Sequence, residues 1–123
     1  MKDSLVFNKA FKFAVKIVGL YKELQVNNEY VISKQMLRSG TSIGANIREG
    51  LEGQSKKDFV AKLSIALKEA CETEYWIELL IATNYLNHEI GKDLLSDLSE
   101  IIRLLNSILR TSRSNMNKKT ETS

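Results

Sequence analysis

Proline is absent from all 123 residues. Inside a helix it removes a backbone donor and clashes with the preceding turn, so a chain without it can run long helices unbroken. Cysteine occurs once, at Cys71. A single thiol excludes an internal disulfide, and its place in an apolar helical stretch predicts a buried, inert side chain in a reducing compartment. Histidine also occurs once, and three residues before His88 stands Tyr85. Neither the Glu-x-x-His pairs of a di-iron bundle nor a His-rich zinc site can be assembled from that set, so no metal and no other cofactor is expected. His88 itself reads as a loop or helix-start residue. No apolar run approaches the ~18 residues of a membrane span. Lys2, Asp3 and Lys9 interrupt what would have to be the apolar stretch of a signal peptide, and a cytoplasmic protein is expected.

What is present is helical periodicity in four segments of a single domain. In the first, about Ser4 to Gln25, one stripe holds Val6, Ala10, Phe13, Ile17, Leu20 and Leu24, and a second holds Phe7, Phe11, Ala14, Val18 and Tyr21. Two adjacent stripes predict contact with more than one neighbour. The second segment runs from Ser33, read as an N-cap, to Gly50, with Met36, Gly40, Ile43 and Ile47 inward. Gly40 and Gly44 stand one turn apart, and each costs about 1 kcal/mol relative to alanine. Folding back through the turn at 50–54 sets Gly40 near Ala66 and Ala70 of the third segment, a close contact of small residues. A phosphate-cradling loop would need a strand before the glycines, and none precedes them.

The third segment starts at Ser55, a cap followed by Asp58 in the first turn, and runs to about Tyr85. Phe59, Leu63, Ala66, Ala70 and Ile77 face inward; Ala61, Ile65, Trp76 and Leu79 face nearly opposite, among Glu69 and Glu72. The fourth, about Ile90 to Arg110, sets Leu94, Leu95, Leu98, Ile101, Ile102, Leu105, Ile108 and Leu109 against Asp93, Asp97, Glu100, Arg103 and Arg110. Short links between four long helices favour antiparallel neighbours. The fold class is therefore all-α, an up-and-down antiparallel four-helix bundle over residues 1–110, followed by a disordered polar tail over 111–123.

Chemistry is sparse. Glu69, Glu72, Glu74 and Glu78 have the three- and four-residue spacing of a solvated helix face rather than an acid–base set, so no catalytic residue is expected. Net charge is +3, with residues 1–30 carrying five lysines against three acids and the tail three bases against one. Lys9, Lys12, Lys16, Arg38, Arg48, Lys118 and Lys119 are the candidate contacts to nucleic-acid phosphates. Ile65, Glu69, Glu72, Trp76 and Leu79 are the candidate oligomer interface, where an outward tryptophan beside isoleucine has the character of an interface centre. Arg38 and Arg48 on the second helix would complement the charge of Glu69 and Glu72 across it.

The stretch from Gln35 through Met36, Leu37, Arg38, Ser39, Gly40, Thr41, Ser42, Ile43, Gly44, Ala45, Asn46, Ile47, Arg48 and Glu49 to Gly50 resembles the signature of the four-helix bundle proteins of the 23S rRNA intervening-sequence family. The likeness continues through Gln54 to Phe59, Leu63 to Ala66 and Glu72 to Trp76. Many relatives carry proline where this chain has Gly44 and arginine where it has Gln54. The resemblance implies a cytoplasmic bacterial protein, some relatives being encoded within insertions in large-subunit ribosomal RNA genes. One relative, which accompanies the reverse transcriptase of diversity-generating retroelements, forms a pentameric ring with a basic surface and binds the enzyme and nucleic acid. The expected role is thus a non-enzymatic homo-oligomeric adaptor, a ring of about five chains binding RNA or DNA weakly. The alternative is a protein–protein interaction or structural module without nucleic-acid contact.

Overall fold

The structure is a computed structural model that describes residues 4–122, with side chains through Asn117. Four helices follow in order: α1 (Leu5–Val26), α2 (Ile32–Leu51), α3 (Lys56–Ala82) and α4 (His88–Thr122). Each packs on its neighbours in the chain and α4 closes against α1, while the diagonal pairs make no close approach among the described residues. This is the expected antiparallel bundle. Its core takes Val6, Ala10, Phe13, Ile17, Leu20 and Leu24 from α1, all of the first predicted stripe, and Leu94, Leu98, Ile101, Leu105 and Leu109 from α4. The second α1 stripe behaves differently. Phe7 and Tyr21 are half-buried, but Phe11 and Val18 are exposed.

Local chemistry sets the helix ends. Ser4 and Ser55 cap α1 and α3, accepting the N–H groups of Phe7 and Asp58. The turns after α1 and α3 share one device: Asn28 and Asn84 adopt φ of 66° and 67°. The following N–H groups, of Glu29 and Tyr85, return to the carbonyls of Leu24 and Leu80. Asparagine is the residue besides glycine that best tolerates this left-handed step, and it stops α3 at Ala82 rather than Tyr85. Asn87 then caps α4 through the N–H groups of Glu89 and Ile90, with His88 as the first helical residue.

Two expectations from the sequence are refined by the three-dimensional packing. Ser33 is not the cap of α2. It is fully buried inside the first turn, and its hydroxyl donates to the Glu29 carbonyl at 2.8 Å. The cap is the Glu29 carboxylate, which accepts the N–H groups of Val31 (3.2 Å), Ile32 (2.8 Å) and Ser33 (2.6 Å). Gln25 closes this knot by donating to the Glu29 carbonyl and to the Ser33 hydroxyl.

The neighbours of Gly40 and Gly44 also change. On the side where a side chain would project, both glycines meet α1. A β-carbon on Gly40 would lie 3.1 Å from Ile17 Cγ2, and one on Gly44 would lie 3.7 Å from Ala10 Cβ. Ala66 and Ala70 are fully buried on the inward face of α3. The α2–α3 seam holds Gly50 against Leu63 and a hydrogen bond, 2.8 Å long, between the buried hydroxyls of Ser39 and Thr73. The last helix, α4, runs through Thr122. Neither glycine nor proline interrupts residues 111–122, and the Arg113 guanidinium donates to Ser64 of α3 at 2.9 Å.

Burial alone would raise the Glu29 carboxyl, but hydrogen bonds from Ser33, Ile32 and Val31 outweigh it and hold the group below the ordinary glutamate value. A lowered folded-state value contributes stability that is complete above the unfolded value and is lost as pH falls through the folded one. Glu29→Ala is expected to cost about 1–3 kcal/mol, because three N–H groups lose their acceptor. Glu29→Gln is expected to lose part of the wild-type stability decrease between about pH 6 and about pH 3. Urea denaturation across that range measures both effects. An unchanged pH profile in Glu29→Gln would show that the cap is not ionised.

Candidate functional site

The candidate phosphate-binding residues do not form one surface, because three of the five whose side chains are described are already paired with acids of the same chain. Lys9 Nζ lies 2.8 Å from Glu100 Oε1 and Lys16 Nζ lies 2.6 Å from Asp97 Oδ2, so two of the three candidate lysines of α1 tie it to α4. Arg38 spans the α2–α3 seam, with Nη1 3.2 Å from Glu69 Oε2 and Nη2 on Glu72 Oε2. The charges of Arg38, Glu69 and Glu72, read from the sequence as complementary surfaces for separate subunits, thus satisfy one another inside a single chain. The side chains of Lys118 and Lys119 lie outside the described residues.

The candidate interface residues are also rearranged. Trp76 is half-buried against the core, and its indole N–H donates to Glu72 Oε2 at 3.2 Å. Leu79 is half-buried too. Ile65 remains 42% exposed, and Tyr75, which periodicity did not single out, is 59% exposed with its ring set edge-on to Trp76 at 5.1 Å. Cys71 is exposed rather than buried. It precedes Glu72 on α3, off the inward face carried by Ala70, Thr73 and Ile77.

Two of the candidate cations meet in a different setting. Lys12 and Arg48 make no ion pair among the described residues, and both line a shallow groove with Phe7, Asn8 and Phe11. The antiparallel α1–α2 pairing, drawn close at Gly44, brings the last turns of α2 over the start of α1. The Arg48 guanidinium consequently sits 4.8 Å from the centre of the Phe7 ring. Phe7 and Phe11 are one turn apart, with ring centres separated by 6.2 Å. Among the described residues no carboxylate lines this groove or its continuation along Ala14, Thr41, Gly44 and Ala45. Phe7 and Phe11 read as core from their spacing. The usable signal is that Phe11 precedes Lys12 and follows Phe7 by four, an aromatic pair next to a cation.

The family described as 23S rRNA-intervening sequence protein matches residues 2–107, nearly the whole bundle. The chain belongs to that family. A crystal structure from Bacteroides thetaiotaomicron VPI-5482, of a protein with unknown function from the S23 ribosomal protein family, is 57% identical to this chain. The similarity covers 89% of this chain and 99% of the other, with a TM-score of 0.85. Comparison with curated proteins gives no match. For this member of the 23S rRNA-intervening sequence family, then, no catalytic family is indicated. Among its described residues there is no group of three or more His, Cys, Asp or Glu side chains placed to hold a metal ion, and no helix is long and apolar enough to cross a membrane.

The two classes of lysine are separable by experiment. Removing Lys9 and Lys16 together by Gln substitution is expected to cost up to about 1 kcal/mol at low salt and less at high salt, since both ion pairs are partly exposed and screened. Lys12→Gln is expected to leave stability unchanged. Thermal or chemical denaturation at two salt concentrations decides it, and an equal loss from Lys12→Gln would mean that Lys12 also has a structural partner.

Proposed function

We propose that this protein is a non-enzymatic, homo-oligomeric adaptor of the cytoplasm that also binds RNA or DNA weakly through basic side chains. The observation that carries the oligomer is apolar surface left over outside a complete core, of which two groups lie apart from the exposed Leu5, Phe11, Val15 and Val18 of α1. One is the outer side of α3, with Tyr75 beside half-buried Trp76 and Ile65 about three turns earlier on the same helix. The other is the end of the bundle where the α1–α2 and α3–α4 turns lie together, bearing Val26, Tyr30, Val31, Tyr85 and Ile90, of which Val31 is 75% exposed. Grouped exposed apolar residues mark association surfaces far better than scattered ones do. Two unlike patches favour a head-to-tail contact, which must close into a ring or grow without end. A count of about five comes from the ring-forming relative.

Catalysis has no part in this reading. Glu69 and Glu72, the carboxylates nearest to an acid–base pair, are engaged by Arg38 and Trp76. Light scattering at micromolar concentration tests the oligomer: a mass several times the 14.0 kDa of one chain is expected. Ile65→Glu combined with Tyr75→Glu, or Val31→Glu alone, is expected to reduce that mass, and circular dichroism verifies that the variants remain folded. A wild-type mass near 14.0 kDa overturns the proposal.

A further inference from the structure

We infer that the groove formed by Phe7, Phe11, Lys12 and Arg48 is a site for single-stranded nucleic acid, in which a base stacks on Phe11 while the adjoining phosphates lie against Lys12 and Arg48. The inference rests on the nucleic-acid half of the reading above and gives it a place and a strand preference.

Three features of the groove select this ligand. The first is charge. Lys9, Lys16, Arg38 and Lys62 are each held by a carboxylate of the same chain. Lys12 and Arg48 make no ion pair among the described residues and share a groove lined by no carboxylate; Lys12 also borders the α1–α4 cleft of Asp97 and Glu100, so Arg48 is the cation whose field is most fully left for an outside anion. The second is the aromatic surface. Phe11 is 56% exposed, an unusual position for a phenylalanine, and its neighbour Phe7 is backed by the Arg48 guanidinium. A hydrophobic ring between two cations suits a planar base joined to phosphates, because stacking and charge neutralisation are then supplied together. The third is shape. Phe11 stands on the convex side of a helix in a shallow groove, where it can reach the face of an unstacked base but not a base held inside a duplex. Asn8, one turn before Lys12 and lining the same groove, adds a side-chain amide able to hydrogen-bond a base edge or the sugar.

The test is fluorescence anisotropy with the full chain, using a labelled oligouridylate of about 12 nucleotides and a labelled RNA duplex of the same length, at about 50 mM and about 200 mM salt. The single strand is expected to bind more tightly than the duplex and to weaken as salt rises. Phe11→Ala is expected to weaken it by about tenfold, the scale of one lost base stack. Lys12→Glu is expected to weaken it and flatten the salt dependence, while Lys9→Gln, whose lysine is already paired, leaves it near wild type. Circular dichroism keeps loss of binding distinct from loss of fold.

Binding unchanged by both Phe11→Ala and Lys12→Glu would overturn this site and leave nucleic-acid binding standing elsewhere on the protein. Duplex bound as tightly as single strand would overturn the stacking. Displacement of the oligonucleotide by polyglutamate at equal charge concentration would overturn the choice of ligand in favour of an acidic protein segment. No binding of either probe at the lower salt would overturn both the site and the nucleic-acid half of the proposed function, without touching the oligomer.

Discussion

Ile17 of α1 fills the space that a side chain on Gly40 of α2 would need, and Ala10 lies in contact range beside Gly44. Two glycines within one helix cost about 1 kcal/mol each in propensity, so the loss must be offset where they sit. It is offset by packing, because α1 and α2 approach closely enough for a buried isoleucine to lie directly against backbone. This approach also fixes the register of the pair. With Gly44 opposite Ala10, one further turn along α2 brings Arg48 over Phe7, and the groove containing Phe11 and Lys12 is a consequence of that alignment. A wider α1–α2 separation would move Arg48 off the ring and dismantle the groove.

Around this apolar contact, every seam of the bundle carries at least one polar tie. Glu29, Gln25 and Ser33 fasten the end of α1 to the start of α2. Arg38 with Glu69 and Glu72, and Ser39 with Thr73, join α2 to α3. Arg113 and Ser64 join α4 to α3, and Lys9 and Lys16 join α1 to α4. The exposed ion pairs contribute little individually, whereas the buried hydroxyl pair and the Glu29 cap are costly to break, since either loss strands a polar group away from water. The ties also explain why a modest positive net charge does not produce a broad basic face. Lys9, Lys16, Arg38 and Lys62 are used in holding the helices together, and the groove that Lys12 and Arg48 share is lined by no acid.

The sequence makes the inward stripes of α1 and α4 legible because burial there follows strict helical periodicity: each residue of the first α1 stripe is in the core. The four helices and their antiparallel order follow from the same signal and the short links. Periodicity shows which face turns inward but not which neighbour each edge of that face meets. Gly40 and Gly44 were therefore assignable to a close contact but not to α1 as the partner. Glu29 was invisible for a related reason, since it lies outside the helix it caps, while Ser33 has the right residue type at nearly the right place. Charge patterns in sequence likewise omit pairing. Lys9, Lys12 and Lys16 look equivalent on α1, and the acids of α4 that distinguish them are more than eighty residues away. Trp76 and Cys71 show the same limit, as each sits near the boundary of a helical face where a small rotation decides exposure.

The close α1–α2 contact is the claim on which both the fold and the groove depend, and Gly40→Leu tests it most directly. Urea denaturation of this variant should show a net loss of stability, because overpacking against Ile17 costs about 1–3 kcal/mol and outweighs the gain of under about 1 kcal/mol in helix propensity. The nuclear magnetic resonance signals of the Phe7 ring, which report the position of Arg48, should shift with it. A variant as stable as the parent, with the Phe7 signals unmoved, would contradict the account.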